Sequence, residues 1–303
     1  MNKVVSRLLI FFIGIPAVLG LVFLKAYNHL ALHIAICIAS FLASYELYDI
    51  FAKKIKLAPK PLVIFCSVLI PIVAAISCVL PAFVNISFFN NQEIITFSFI
   101  FSFLLILAYE VLTAKSFEDS NARLAGSVFI VLYSGYLITF ISRMTVFSKE
   151  IVSNDGFFVL QDVSIPFICL FLFMVFICDS LAWFFGMLFG KNNRGYIKAS
   201  PNKSIAGFVG GTVGSILSGI LGYFIWPDVF SGSIIKVIVL GLLIAFAAII
   251  GDLVESIFKR SSDCKDSGHI IPGRGGLLDS VDSILMAAPV YYLLVSLMYG
   301  PLV

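Results

Sequence analysis

Charge is scarce in this chain: Asp, Glu, Lys and Arg together make up 12% of its 303 residues, and the formal net charge is only +3. There is no long basic run, so the electrostatic footprint of a nucleic-acid-binding protein is missing and nucleic acid is not an expected partner. The six cysteines include no CxxC pair. Cys37, Cys66, Cys78, Cys169 and Cys178 lie in apolar stretches and Cys264 stands outside them, so neither a disulfide framework nor a thiolate zinc site is implied. Of the three histidines, His29 and His33 sit in an apolar span and His269 is alone, which removes the other usual zinc ligand. The GxxxxGK[ST] loop of P-loop nucleotide-binding proteins is absent. So is any internal repeat, which counts against an inverted-repeat secondary transporter.

What the chain has instead is apolar length. Hydrophobic residues make up 60% of it, Phe alone occurs 31 times, and the mean hydropathy is +1.07. These values lie outside the range of soluble domains and specify a polytopic membrane protein. Runs long enough to cross a ~30 Å hydrocarbon core recur along the whole length. About nine spans are expected, near 8–24, 29–51, 62–84, 94–113, 124–142, 164–190, 206–225, 234–257 and 284–300. The fold class is all-α, because backbone groups in lipid must bond within their own segment and the long continuous runs do not alternate as barrel strands do. The first span follows Lys3 and Arg7 but lacks a small-residue cleavage site after it, so it reads as a retained signal-anchor helix.

Lys and Arg fall unevenly between alternate loops. One set, from Lys3 and Arg7 through the 53–60, 115–123, 191–203 and 259–274 segments, holds sixteen of the twenty basic residues. By the positive-inside rule that set faces the cytoplasm, with the N-terminus inside and the C-terminus outside. The expected location is the inner (cytoplasmic) membrane.

The chain divides by texture into 1–163, an N-terminal transmembrane scaffold, and 164–303, where the chemistry concentrates. In the first part Glu46, Asp49 and Glu110 are acids near span ends, expected to be hydrated at the interface. The 143–163 segment is the longest outside loop. In the second part Asp179 interrupts the apolar run VFICDSLAWFFGMLFGK and shares a helical face with Trp183, Gly186 and Gly190. It either bonds a neighbouring helix or serves a reaction centre. Ser200, Lys203 and Ser204 precede the next span, where free backbone N–H groups and the positive end of a helix favour an anion such as phosphate. Gly207, Gly210, Gly211 and Gly214 give small-residue spacings, read as close helix packing or close approach of backbone to a ligand.

The densest charge lies in GDLVESIFKRSSDCKDSGHIIPGRGGLLDSVDS, from Gly251 to Ser283. Asp252, Glu255, Ser256 and Lys259 form one polar helical face, and Asp279, Asp282 and Ser283 form another on a helix beginning near Leu277. Glycines and Pro272 break the chain between them. Two carboxylate-bearing helix ends with Lys259, Arg260, Lys265 and Arg274 nearby suit a hard divalent ion together with a phosphorylated substrate.

This stretch resembles the CDP-diacylglycerol synthases, or phosphatidate cytidylyltransferases. Ser256, Phe258, Lys259, Arg260, Lys265, Asp266, Pro272, Gly275, Gly276, Asp279 and Asp282 stand in register with that family's C-terminal motif, preceded by its GDLxES element at Gly251–Ser256. Upstream, Asp179, Ser180, Ala182, Gly190, Lys191, Ser200, Pro201, Lys203, Ser204, Gly207, Gly210 and Gly211 match the family's DSxA…GK…SPxK[ST]xxGxxGG pattern. Two positions depart: Arg274 stands where the family usually has His, and Ser280 where it usually has Arg, so that Arg274 is a candidate for the phosphate contact of the missing Arg.

The resemblance implies transfer of the cytidylyl group of CTP to phosphatidic acid, giving CDP-diacylglycerol and pyrophosphate, with Mg²⁺ as cofactor, alone or with a second metal ion. It carries metal binding to Asp252 and Asp279, with Asp282 and Asp266 in support, and phosphate contacts to Lys259, Arg260 and Lys265. Asp179, Lys191, Ser200, Lys203, Ser204, Ser256 and Arg274 complete the substrate-binding set. The implied partners are CTP, phosphatidic acid and the lipid bilayer, with a homodimer as one open arrangement. The alternatives are a CTP-dependent lipid or polyprenol kinase and, less favoured, a secondary transporter. The DGxxAR element of the CDP-alcohol phosphotransferases is missing.

Overall fold

The computed structural model describes residues 14–83, 92–152, 158–268, 270 and 275–300. Helices dominate: α1 Ile15–Phe23, α2 Ala26–Phe51, α3 Lys60–Val79, α4 Glu93–Thr113, α5 Ser120–Ile130, α6 Thr139–Met144, α7 Ser164–Phe189, α8 Ile205–Ile225, α9 Ile235–Ser261 and α10 Leu278–Tyr299. Among the described residues eight helical segments are long and apolar enough to cross a membrane, with α5, a π-helical turn at Val131–Tyr136 and α6 together making one of them. Of the expected span at 8–24, only the nine-residue α1 belongs to a described helix, and residues 1–13 fall outside. The fold is an all-α polytopic one. Its one sheet among the described residues is a hairpin, β1 Ser148–Val152 antiparallel to β2 Phe158–Asp162, within the segment read as a long outside loop.

Residues cluster into two compact units that interleave in sequence, the first comprising 1–143 and 258–281 and the second 144–257 and 282–303. The 258–281 segment thus clusters with the N-terminal helices rather than with its neighbours in sequence.

In the first unit the apolar core is built by Leu47, Val63, Ile70, Ile106 and Ile130, all fully buried. Phe258 stands edge-on to Phe51, Phe129 and Tyr133 at 5.3, 5.3 and 5.6 Å between ring centroids, an arrangement favoured by the ring quadrupoles. Gly135 lets two helices touch, since a Cβ there would stand 2.5 Å from the Ser67 carbonyl oxygen. The outward faces stay apolar, with Val111 and Leu112 78% and 82% exposed, as lipid-facing surfaces require.

Two acids of this unit differ from the sequence expectation. Glu46 and Glu110 are not hydrated but 4% and 5% exposed. A buried carboxylate is tolerated only with donors around it, and Glu110 has them in the Ser120 hydroxyl (2.5 Å) and Arg123 Nη1 (2.7 Å). Asp49 remains half-exposed and pairs with Lys60 at 2.6 Å.

In the second unit α7 and α8 pack along a glycine face. A Cβ at Gly207 would lie 2.7 Å from the Ala182 carbonyl, one at Gly211 2.9 Å from that of Cys178, and one at Gly214 2.8 Å from Leu181 Cδ1. At Gly207 and Gly211 the neighbour is a backbone oxygen below contact distance, so only glycine permits the helices to approach this closely there, and the small-residue spacing is a packing device. Gly241 does the same between α9 and α8, with a Cβ 2.7 Å from Ile216 Cα. Tyr291 is fully buried and donates to the Phe167 carbonyl at 2.9 Å, tying α10 to α7.

Candidate active site

In the second unit α9 and α10 meet at Gly251, where a Cβ would stand 2.6 Å from the Asp282 carbonyl oxygen and 3.0 Å from Met286 Cβ. The missing side chain lets the α10 backbone come against α9 at the residue next to Asp252. Asp252, Glu255 and Asp282 thereby converge, each offering a carboxylate oxygen within 4.8 Å of the others. Glu255 follows Asp252 by three residues and so shares its helical face. Glu255 and Asp282 are 1% and 5% exposed, whereas the Asp252 side chain is 42% exposed and opens the cluster to the outside.

Two further groups frame these three. Lys203, from the segment before α8, brings its Nζ to 2.6 Å from Asp252 Oδ2. The Ser283 hydroxyl donates to Asp179 Oδ1 at 3.2 Å. Four carboxylates thus gather in the second unit with the ammonium of Lys203 among them. Like charges at such separations in a weakly polarisable interior repel by several kcal/mol at an effective dielectric of about 20, so the cluster is suited to further positive charge. An all-oxygen donor set without Cys or His fits a hard divalent cation of the Mg²⁺ class rather than zinc. The residues present therefore fit the metal that the sequence implies.

The start of α8 is occupied by the chain itself. Ile205 N–H donates to the Asn193 carbonyl at 3.1 Å, Ala206 N–H to Asn193 Oδ1 at 3.4 Å, and Gly207 N–H to Ser204 Oγ at 3.1 Å. Ser204 is extended (φ −125°, ψ 153°) and buried, the usual state of an N-cap. The first-turn donors read from sequence as an anion site are satisfied internally, which leaves Lys203 as the group of this segment that faces the carboxylates.

The first unit holds a second polar assembly, centred on Asp279. Its Oδ1 accepts from Lys259 Nζ, and its Oδ2 accepts from Ser267 N–H (3.1 Å), the Ser267 hydroxyl (2.7 Å) and Gly276 N–H (2.9 Å). One carboxylate thus holds both stems of the glycine-containing connection between α9 and α10. Gly275 adopts φ +119°, a left-handed conformation open to glycine. Glu46 of α2 joins this assembly: its Oε1 accepts from Leu277 N–H at 3.0 Å and its Oε2 from Leu278 N–H at 2.8 Å, with the Ser267 hydroxyl 3.4 Å away. Helix α10 begins at Leu278, so Glu46 caps it from a distant part of the chain.

The sequence-derived candidates fall as follows. Asp252, Asp282, Lys203 and Asp179 lie in or beside the acidic cluster of the second unit, while Asp279 and Lys259 form the clasp of the first. Lys191, Arg260, Lys265 and Asp266 are exposed, Ser200 is half-buried, and Ser256 is buried in α9. Arg274 lies outside the described residues; Ser280 stands in the first turn of α10. Glu255 and Glu46 were not among the site candidates. Spacing alone pointed to Glu255, one turn from Asp252. The signal for Glu46 is an acid inside an apolar helix, a full turn before its end, which says that a partner is needed but not where it lies.

The family model for the cytidylyltransferase family matches residues 5–298. The chain belongs to the cytidylyltransferase family. Among curated relatives, the phosphatidate cytidylyltransferase of Bacillus subtilis is 29% identical over 94% of this chain and 96% of its own length. That of Synechocystis is 41% identical over 128 residues, 41% of each chain. That of Helicobacter pylori strain J99 is 39% identical over 137 residues, 44% of this chain and 50% of the relative. These last two matches thus span half or less of the relatives' own lengths. As a member of the cytidylyltransferase family, the chain sets its converging carboxylates within the matched region.

Proposed function

We propose that the chain is an enzyme that transfers the cytidylyl group of CTP to phosphatidic acid, giving CDP-diacylglycerol and pyrophosphate for phospholipid synthesis. The observation that carries this reading is the convergence of Asp252, Glu255 and Asp282 beside Lys203 in a chain matched to the cytidylyltransferase family over residues 5–298. A phosphatidate oxygen attacks the α-phosphorus of CTP, the bond to the β-phosphate oxygen breaks, and pyrophosphate leaves. Such a transfer needs alignment and neutralisation of phosphate charge more than covalent help.

Each group then has a task. Asp252, Glu255 and Asp282 would hold Mg²⁺, which when bound draws phosphate oxygens together and offsets their charge. Lys203 fixes the orientation of Asp252 through its 2.6 Å ion pair and adds positive charge at the open side of the cluster. Asp179, held by Ser283, borders the same cluster. Lys259 and Asp279 order the connection before α10, and exposed Lys191, Arg260 and Lys265 supply contacts for nucleotide phosphates. The Lys and Arg asymmetry supports a site on the cytoplasmic face of the inner membrane with the N-terminus inside, where a soluble nucleotide and a bilayer lipid can both arrive.

The test is purified protein in mixed micelles with CTP, phosphatidic acid and Mg²⁺. Formation of CDP-diacylglycerol, identified by mass, supports the reading. Formation of a newly phosphorylated lipid with CDP would replace it with the kinase reading.

A further inference from the structure

We infer that Glu46, in a helix that sequence assigns to the scaffold, is a positioning residue for the reaction, acting through the first turn of α10. The inference rests on the proposed cytidylyl transfer for its activity readout but not for its structural one.

The observations are all within the first unit. Glu46 is 4% exposed, so its carboxylate is spared from water and must be matched by donors. Its two oxygens take the N–H groups of Leu277 and Leu278, at 3.0 and 2.8 Å. These belong to the residue before α10 and to its first residue, and a helix leaves its leading N–H groups without partners inside itself. The cap is therefore supplied across 232 positions of sequence, where a local Ser, Thr, Asp or Asn would normally serve. Negative charge at a helix N-terminus is also favoured by the helix dipole.

Close packing shows that this is a fitted arrangement. A Cβ at Gly268 would fall 2.5 Å from Glu46 Oε1, so the connection is threaded around the carboxylate. Ser267 lies between the two acids, its hydroxyl 2.7 Å from Asp279 Oδ2 and 3.4 Å from Glu46 Oε2. A hydroxyl has one proton to give, and the shorter contact takes it. Ser267 is thus committed to Asp279, and Glu46 is committed to the backbone. Together the two acids fix where α10 starts and how its first turn is rotated. That turn carries Asp279, and Asp282 follows on the same helix. A cap lost at Leu277 and Leu278 would let the first turn fray, loosening the Asp279 clasp and, one turn on, Asp282, a carboxylate that the reaction requires to be fixed to within a fraction of an ångström.

The experiment compares full-length wild type with Glu46→Gln and Glu46→Ala in detergent micelles, reading two quantities. The first is hydrogen exchange at the Leu277 and Leu278 amides, which needs neither metal nor substrate. The second is kcat and KM for CTP. Gln keeps the length and one acceptor oxygen, so it retains one of the two backbone bonds. The expected result is graded: amide exchange at Leu277 and Leu278 faster by about tenfold in Gln and more in Ala, with kcat falling in the same order by about tenfold or more and KM for CTP moving less than about threefold. Unchanged exchange at these amides overturns the capping role. Faster exchange with kcat unchanged overturns the positioning role. If wild type itself does not form CDP-diacylglycerol, the functional reading has failed, and the exchange data still decide whether Glu46 holds α10. Should the Ala variant not fold, the Gln variant carries both readouts.

Discussion

Lys203 Nζ lies 2.6 Å from Asp252 Oδ2, with the lysine side chain 20% and the aspartate 42% exposed. A pair so open to water contributes only about 0–1 kcal/mol to stability, so its value lies in where it holds the charges. Lys203→Ala is therefore expected to leave the unfolding midpoint nearly unchanged while lowering kcat/KM for CTP by about tenfold or more, equivalent to ~1.4 kcal/mol of transition-state stabilisation. Thermal unfolding in detergent beside steady-state kinetics checks both halves. A variant that loses stability but keeps its rate would contradict the assignment.

The three converging carboxylates predict metal affinity. Asp252→Asn, Glu255→Gln and Asp282→Asn preserve shape and each remove one charge, and each should weaken binding of Mn²⁺, a spectroscopic probe for Mg²⁺ sites. Turnover should fall by orders of magnitude with the helices intact. Electron paramagnetic resonance titration of free Mn²⁺ against the protein, alongside circular dichroism, separates lost ligands from lost fold. Wild-type affinity in all three variants would remove the metal role.

Gly251 offers a test of geometry rather than charge. A Cβ there would collide with the Asp282 carbonyl oxygen at 2.6 Å, so Gly251→Ala should push α10 from α9 and cost about 1–3 kcal/mol as overpacked sites do. Gly241→Ala, with a comparable clash at 2.7 Å against Ile216 Cα, is the control. Both variants should lower the unfolding midpoint, but Gly251→Ala alone should raise the Mg²⁺ concentration needed for half-maximal activity. Equal Mg²⁺ dependence in the two would show that Gly251 only packs.

Ser204 caps α8 through Gly207 N–H at 3.1 Å. Ser204→Ala is expected to cost about 1 kcal/mol of stability and Ser204→Thr much less, because threonine also caps. Hydrogen exchange at the Gly207 amide should rise in the Ala variant and not in the Thr variant.

Much of the architecture was legible because hydrocarbon leaves few options: apolar length specifies helices, and seven of the eight long apolar segments begin within about four residues of the expected span starts. The eighth, α10, begins at Leu278, as the helix start expected near Leu277 has it, and the apolar span near 284–300 is its later part, since Asp279 and Asp282 lower the hydropathy of its first turns. The polar faces around Asp252 and Asp279 could be read from helical spacing. Their partners could not, because spacing along one helix says nothing about which distant backbone approaches. Glu46 looked like an interfacial acid, yet its charge is matched by the N–H groups of Leu277 and Leu278. Ser204 looked like part of a phosphate site, yet its hydroxyl is used within the chain. In each case a long-range or local backbone contact determines the outcome, and spacing along the chain carries no trace of it.

The most direct test of the central claim follows phosphorus from CTP to lipid. Wild type and Asp252→Asn are supplied with phosphatidic acid, Mg²⁺ and CTP labelled at either the α- or the γ-phosphorus. Cytidylyl transfer predicts that wild type places the α-label in lipid and the γ-label in pyrophosphate, in equal amounts, and that Asp252→Asn does neither at a comparable rate. Appearance of the γ-label in lipid, or undiminished transfer by Asp252→Asn, would contradict it.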